Sequence, residues 1–116
     1  MTYLPGTHVI ASLSTKQADR LRDFEALRSA IDGWIADHHL QKLGDVYHNF
    51  SPAGFTAVIC LSESHISIHT WPERNFAALD VFMCGACDPY KVVPFLQAAF
   101  GPASIELDEQ RRGIVT

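Results

Sequence analysis

Residues 61–73 read Leu-Ser-Glu-Ser-His-Ile-Ser-Ile-His-Thr-Trp-Pro-Glu. Ile66 and Ile68 alternate with Ser67 and His69, the period-two pattern of a half-buried strand over residues 65–71. Residues 55–61 (FTAVICL) and 76–83 (FAALDVFM), on either side, are rich in β-branched and aromatic side chains and also read as strands. Pro72-Glu73-Arg74-Asn75 supplies turn chemistry before the third of these strands. Ser51-Pro52-Ala53-Gly54 does the same before the first, with a further strand expected over residues 46–50.

Outside this block the period changes. From residue 16 to residue 40, Leu21, Phe24, Leu27, Ile31, Trp34, Ile35 and His38 recur at three- and four-residue steps, which predicts one amphipathic helix with Gly33 as its weak point. Asp88-Pro89 opens a second helix, with Val92, Val93, Leu96 and Phe100 as its apolar face and Gly101-Pro102 as its stop. Residues 7–13 and 103–107 read as the first and last strands, and residues 109–113 as a polar tail. The order is strand, helix, four strands, helix, strand. It predicts an α+β fold: a two-layer sandwich of an antiparallel sheet with two main helices on one face. If the other face is apolar, a dimer that stacks two sheets would cover it.

The 116 residues are expected to form a single domain spanning 1–116. A net charge of −4 without a basic cluster argues against a nucleic-acid partner. No signal peptide and no membrane span are expected, and the three cysteines are expected to stay reduced in the cytoplasm.

Three residues in and beyond the opening stretch carry chemistry. The Ser64 hydroxyl stands beside its own peptide bond and can attack the preceding Glu63 carbonyl if the turn is strained and a base is near. On spacing alone, a hairpin serine bonded to its own backbone is the more economical reading. His69 is a plausible base in its neutral form near pH 7. Its five-residue offset from Ser64 puts the two on opposite faces of an ideal strand, so a bulge, or a Ser64 in the turn itself, is needed to join them. Cys84 can give up a thiol proton, although a free cysteine is commonly a small buried hydrophobe. With Gly85, Ala86 and Cys87 it forms a C-x-x-C, which suggests redox or zinc chemistry as a rival. Only 29 residues follow Cys87, and Met83 instead of an aromatic stands immediately before the motif, which weakens a thioredoxin reading.

The run Glu63-Ser64-His65 with Ile68-His69-Thr70-Trp71-Pro72-Glu73, followed by AALDVFMCG at residues 77–85, resembles the bacterial and archaeal S-adenosylmethionine decarboxylase proenzymes. The resemblance is densest over residues 47–89 and collinear over essentially the whole chain. It implies cleavage between Glu63 and Ser64 into 1–63 and 64–116, with Ser64 converted to a covalent pyruvoyl group. That group would form a Schiff base with the amine of S-adenosylmethionine. His69 would remove the Ser64 α-proton during processing. Thr56 stands where the family usually has a serine whose hydroxyl supports the tetrahedral intermediate. Cys84 would protonate the substrate carbon after decarboxylation, Phe50 would stack on adenine, Glu73 would accept from the ribose hydroxyls, and Trp71 would line the same pocket. The resemblance further implies a homodimer of cleaved protomers, a product that donates aminopropyl groups for spermidine synthesis, and no metal. The loop after Cys84 is shorter than usual in the family, which keeps ornithine or arginine open as substrates. An uncleaved, non-catalytic regulatory homologue is the alternative of a different class.

Overall fold

The computed structural model describes residues 6–84, 88–101 and 103–113. Its elements run β1 (Gly6–Thr15), α1 (Glu25–Asp37), β2 (Lys42–Asn49), β3 (Phe55–Leu61), β4 (Ser64–Trp71), β5 (Phe76–Met83), α2 (Val92–Ala99) and β6 (Ala103–Arg112). The strands form one six-stranded sheet in the order β2-β3-β4-β5-β1-β6. Every neighbouring pair is antiparallel. The expected α+β sandwich is thus present: strand alternation sends Leu13, Phe55, Ile59, Ile66, Ile68, Leu79 and Val81 to one face, where they pack with Leu27, Ile31 and Ile35 of α1 and Val92 and Leu96 of α2. Trp34 and Phe95 stack at 6.0 Å where the two helices meet.

Among the described residues the other face carries no helix and is mixed. Ile10, Val46 and Val58 remain 41%, 77% and 43% exposed there, beside polar side chains. Apolar groups of this kind on an uncovered sheet face are what a stacked partner would remove from water.

The single helix expected over residues 16–40 is corrected to a 3₁₀ turn at Ala18–Leu21 followed by α1 from Glu25. Gly33 lies inside α1 and does not break it. The break comes earlier because residues 21–24 commit their backbone groups elsewhere. Leu21 O accepts from Thr70 Oγ1 at 2.7 Å, Arg22 O from Gly54 N at 2.9 Å, and Phe24 N donates to Asn49 Oδ1 at 3.1 Å. Asp23 Oδ1 then accepts from Glu25 N at 2.7 Å, satisfying a donor that helix geometry leaves open. At the other end His39 takes φ of 56°, while His39 N bonds Ala36 O and Leu40 N bonds Ile35 O, a Schellman stop with histidine in the position usually held by glycine.

Two strands run longer than their composition suggests. β2 starts at Lys42, with a register shift between Lys42 and Gly44, and β6 extends through the polar tail to Arg112. β6 pairs with β1 along its whole length, from Ala103 opposite Thr15 to Arg112 opposite Gly6. Charged side chains suit this strand because it is a sheet edge.

An ionic cluster fastens α1 to the other edge. Lys42 Nζ reaches Asp32 at 2.7 Å and Asp45 at 2.6 Å, and Arg28 Nε reaches Asp45 at 2.9 Å. The Asp45 side chain is only 5% exposed. The hydrogen bond from Lys42 holds its carboxyl below the usual carboxylate range; burial opposes this and the hydrogen bond from Arg28 adds to it. A lowered folded-state value means stabilisation that is complete above the ordinary aspartate range near about 4 and is lost as pH falls through the folded value. Asp45→Asn is expected to lower unfolding free energy by about 1 kcal/mol at pH 7, the solvent-exposed Arg28 partner keeping the loss small. Urea unfolding at pH 7 and pH 3 checks this: the gap between variant and wild type should narrow at the lower pH.

Candidate active site

The hairpin of β3 and β4 sets Thr56 directly opposite His69, and β5 places Ala78 on the other side of His69. Thr56 Oγ1 and His69 Nδ1 lie 3.2 Å apart, within hydrogen-bond reach. Both side chains point to the helix-free face. There they share a cavity of about 300 Å³ with Phe50, Ala53, Thr70, Trp71 and Glu73. Five residues singled out in the sequence, Phe50, Thr56, His69, Trp71 and Glu73, therefore converge on one concavity. Phe50 and Trp71 are 49% and 41% exposed, so their rings are available to a ligand. His69 and Trp71 stack at 6.4 Å, and Trp71 stacks on Phe76 at 5.4 Å, which holds the indole as a wall.

Backbone chemistry shapes the rim. Thr70 is buried; its hydroxyl donates to Leu21 O and accepts from Phe55 N at 2.9 Å, pinning the start of β3 to the chain before α1. Gly54 has φ of 102°, and a Cβ there would meet Pro72 Cδ and Thr70 O, both at 3.2 Å. Only glycine suits that position, and it lets the 50–54 loop close against the Pro72–Arg74 turn that carries Glu73.

Ser64 and Cys84 lie elsewhere. The β4–β5 register pairs His65 with Phe82, so the next step toward the sheet end sets Ser64 beside Met83, and Cys84 follows directly. Ser64 begins β4 and pairs with Leu61 after a two-residue turn. Its Oγ reaches Ser62 O at 3.4 Å. The β3–β4 pairing runs from Leu61–Ser64 to Thr56–His69 without a register shift, so no bulge brings Ser64 to His69. Five strand steps separate them by roughly 17 Å, and alternation puts them on opposite faces. Within one chain the serine and the histidine do not meet. Cys87, Gly85 and Ala86 of the C-x-x-C lie outside the described residues.

A second polar group on the open face was not read from the sequence. His8 Nε2 lies 2.6 Å from Asp80 Oδ1, and Ser67 Oγ donates to Asp80 Oδ2 at 3.3 Å. His65 stacks on Phe82 at 5.8 Å and meets His8 edge-on at 6.0 Å. The available signal was Asp80 inside the otherwise apolar FAALDVFM. Its partner is 72 residues away in the chain, so spacing alone offers no pairing.

A two-layer α+β protein with an aromatic-walled polar cavity on its uncovered sheet face is the class these features define. The S-adenosylmethionine decarboxylase family matches residues 7–113. The S-adenosylmethionine decarboxylase proenzyme of Aquifex aeolicus is 38% identical over 113 residues, covering 95% of this chain and 82% of that protein. That of Persephonella marina is 38% identical over 111 residues, covering 95% and 84%. The crystal structure of the Aquifex aeolicus adenosylmethionine decarboxylase superposes with a TM-score of 0.85 at 34% identity, covering 99% of this chain and 96% of that one. A Trypanosoma brucei AdoMetDC-delta26 monomer shares the fold at a TM-score of 0.59 and 15% identity, covering 86% of this chain and 44% of that one. The chain belongs to the S-adenosylmethionine decarboxylase family.

Proposed function

We propose that this protein is a self-processing, pyruvoyl-dependent carboxy-lyase that decarboxylates S-adenosylmethionine and so supplies the aminopropyl donor for spermidine synthesis. The observation that carries this reading is the convergence of Phe50, Thr56, His69, Trp71 and Glu73 on one cavity. An aromatic face suits both an adenine ring and a sulfonium cation, and a carboxylate suits ribose hydroxyls. Ornithine or arginine would offer the aromatic walls a cation but no base to stack, and would offer Glu73 no ribose hydroxyls.

Processing begins when Ser64 Oγ attacks the Glu63 carbonyl carbon. The new C–O bond replaces the C–N bond, and the hydroxyl proton ends on the Ser64 nitrogen. Removal of the Ser64 α-proton then breaks the Cβ–Oγ bond, and Glu63 departs as a carboxylate. Residue 64 is left as dehydroalanine, whose imine tautomer takes up water and releases ammonia. The products are residues 1–63 and 64–116, the latter beginning with a ketone. Once formed, that ketone supplies an electron sink for loss of the substrate carboxylate. Cys84, beside Ser64 at the sheet end, is the proton donor to the substrate carbon.

In this reading the active unit is a homodimer. A two-fold axis lying between two open sheet faces and running across the strands sets the Ser64–Cys84 end of each chain over the partner's cavity. The roughly 17 Å gap within one chain then ceases to matter, and the exposed Ile10, Val46 and Val58 become interface.

Release of carbon dioxide from carboxyl-labelled S-adenosylmethionine, compared with ornithine and arginine, tests the substrate. Turnover of the basic amino acids alone would overturn the assignment. Phe50→Ala is expected to raise KM for S-adenosylmethionine roughly tenfold to a hundredfold, the usual cost of losing a base–aromatic stack, while chain splitting continues.

A further inference from the structure

Among the described residues, three that are not glycine have positive φ: His39 at 56°, Asn75 at 54° and Glu63 at 64°. Asparagine and histidine are enriched in the left-handed region, where asparagine's short polar side chain can bond locally. Glutamate has no such compensation. Asn75 closes the Pro72–Arg74 turn with its N–H on Pro72 O, and His39 closes the Schellman stop of α1. Glu63 has neither excuse and is exposed. It is also the second residue of a two-residue hairpin turn between Leu61 and Ser64.

Hairpin turns of this length favour geometries with positive φ at both central residues or at the first. Here only the second has it, the pattern of a type II turn, which wants glycine at this position and whose twist does not match paired strands. The turn is held in place from outside: Ser62 N donates to Gln41 O at 2.9 Å, tying it to the start of β2. Two local preferences are thus violated at one residue, and its carbonyl belongs to the peptide bond before Ser64.

We infer that the left-handed Glu63 is a strain element that drives self-processing of the Glu63–Ser64 bond; the inference rests on the processing chemistry given above. Moving the acyl group from nitrogen to Oγ reroutes the chain through Ser64 Cβ and Oγ. The link from the Glu63 carbonyl carbon to Ser64 Cα gains one atom, so the tight turn acquires slack and Glu63 can leave the left-handed region. Strain present in the amide and released in the ester pulls an otherwise unfavourable exchange toward the ester, and hence toward elimination. Glu63 is a positioning residue in this scheme, acting through its backbone and not its carboxylate.

The test separates backbone from side chain. Glu63→Gly accommodates positive φ freely, Glu63→Asn partly, and Glu63→Gln no better than glutamate. Splitting rates of freshly purified full-length chain, followed by denaturing electrophoresis, are expected to fall roughly tenfold for glycine, less for asparagine, and hardly at all for glutamine. Because glycine also loosens the turn, a second measurement fixes the cause. In a Ser64→Ala background, where nothing splits, adding Glu63→Gly should raise the folding equilibrium constant severalfold in urea titrations. No such stabilisation, or slow splitting of the glutamine variant with normal splitting of the glycine one, would overturn the inference. A wild-type chain that never splits would instead remove the processing reading, and this inference with it.

Discussion

Ser64→Ala is expected to yield one uncleaved chain with no decarboxylase turnover. Wild-type protein should separate under denaturing conditions into residues 1–63 and 64–116. Intact mass should show the second fragment lighter, by one ammonia, than simple hydrolysis gives. In the proposed chemistry the effect is total because Ser64 would supply both the nucleophile for splitting and the atoms of the ketone, with no neighbouring side chain to replace either. Ser62, two residues earlier in the same turn, offers a hydroxyl but stands on the far side of Glu63 and cannot reach the same carbonyl through an equivalent ring. An intact wild-type chain after prolonged warming would support the uncleaved homologue. Two fragments without the ammonia deficit would mean hydrolysis at the exposed turn, by a protease or through the ester, without formation of the ketone. Thr56 Oγ1 stands within hydrogen-bond reach of His69.

How far the sequence foretold this arrangement follows from which forces act locally. Strands 55–61 and 76–83 were legible to the residue because both are apolar runs rich in β-branched and aromatic side chains, each preceded by turn chemistry. The periodic run over residues 16–40 misled because Leu21 and Phe24 are indeed buried in the same core as Leu27 and Ile31, although they are not in the same helix. What separates them is a set of hydrogen bonds to Asn49, Gly54 and Thr70, partners that no local pattern announces. Asp23 was a readable start signal for the real helix. The β6 tail was missed because an edge strand needs little apolar character once β1 offers it a ten-residue partner. At the site, Thr56, His69 and Trp71 gather on one face through simple alternation across paired strands. Phe50 and Glu73 join them because the two flanking turns fold toward each other around Gly54. The His8–Asp80–Ser67 group needed β1, β4 and β5 to be placed side by side, which is information about topology and not about spacing.

The separation of Ser64 from His69 has its own consequence, and a mixed dimer exposes it. Ser64→Ala and His69→Ala are each expected to block splitting when expressed alone, the first by removing the nucleophile and the second by removing the base. If each site takes Ser64 from one chain and His69 from the other, pairing the two variants creates one complete site and one doubly broken site per mixed dimer. Co-expression with different affinity tags should then restore splitting, and only in the His69→Ala chain, which still carries Ser64. In purified mixed dimers about half of all chains should be cut, against none in either parent dimer. The pattern is hard to mimic: a structural role for His69 would leave its own chain misfolded and uncut whatever the partner. If both residues of a working site belonged to one chain, neither tag would appear on a fragment. That outcome would require β4 to leave the regular pairing with β3, because five strand steps cannot be folded away while Thr56 stays opposite His69 and Leu61 opposite Ser64. Which chain is cut, more than whether cutting occurs, decides between the two geometries.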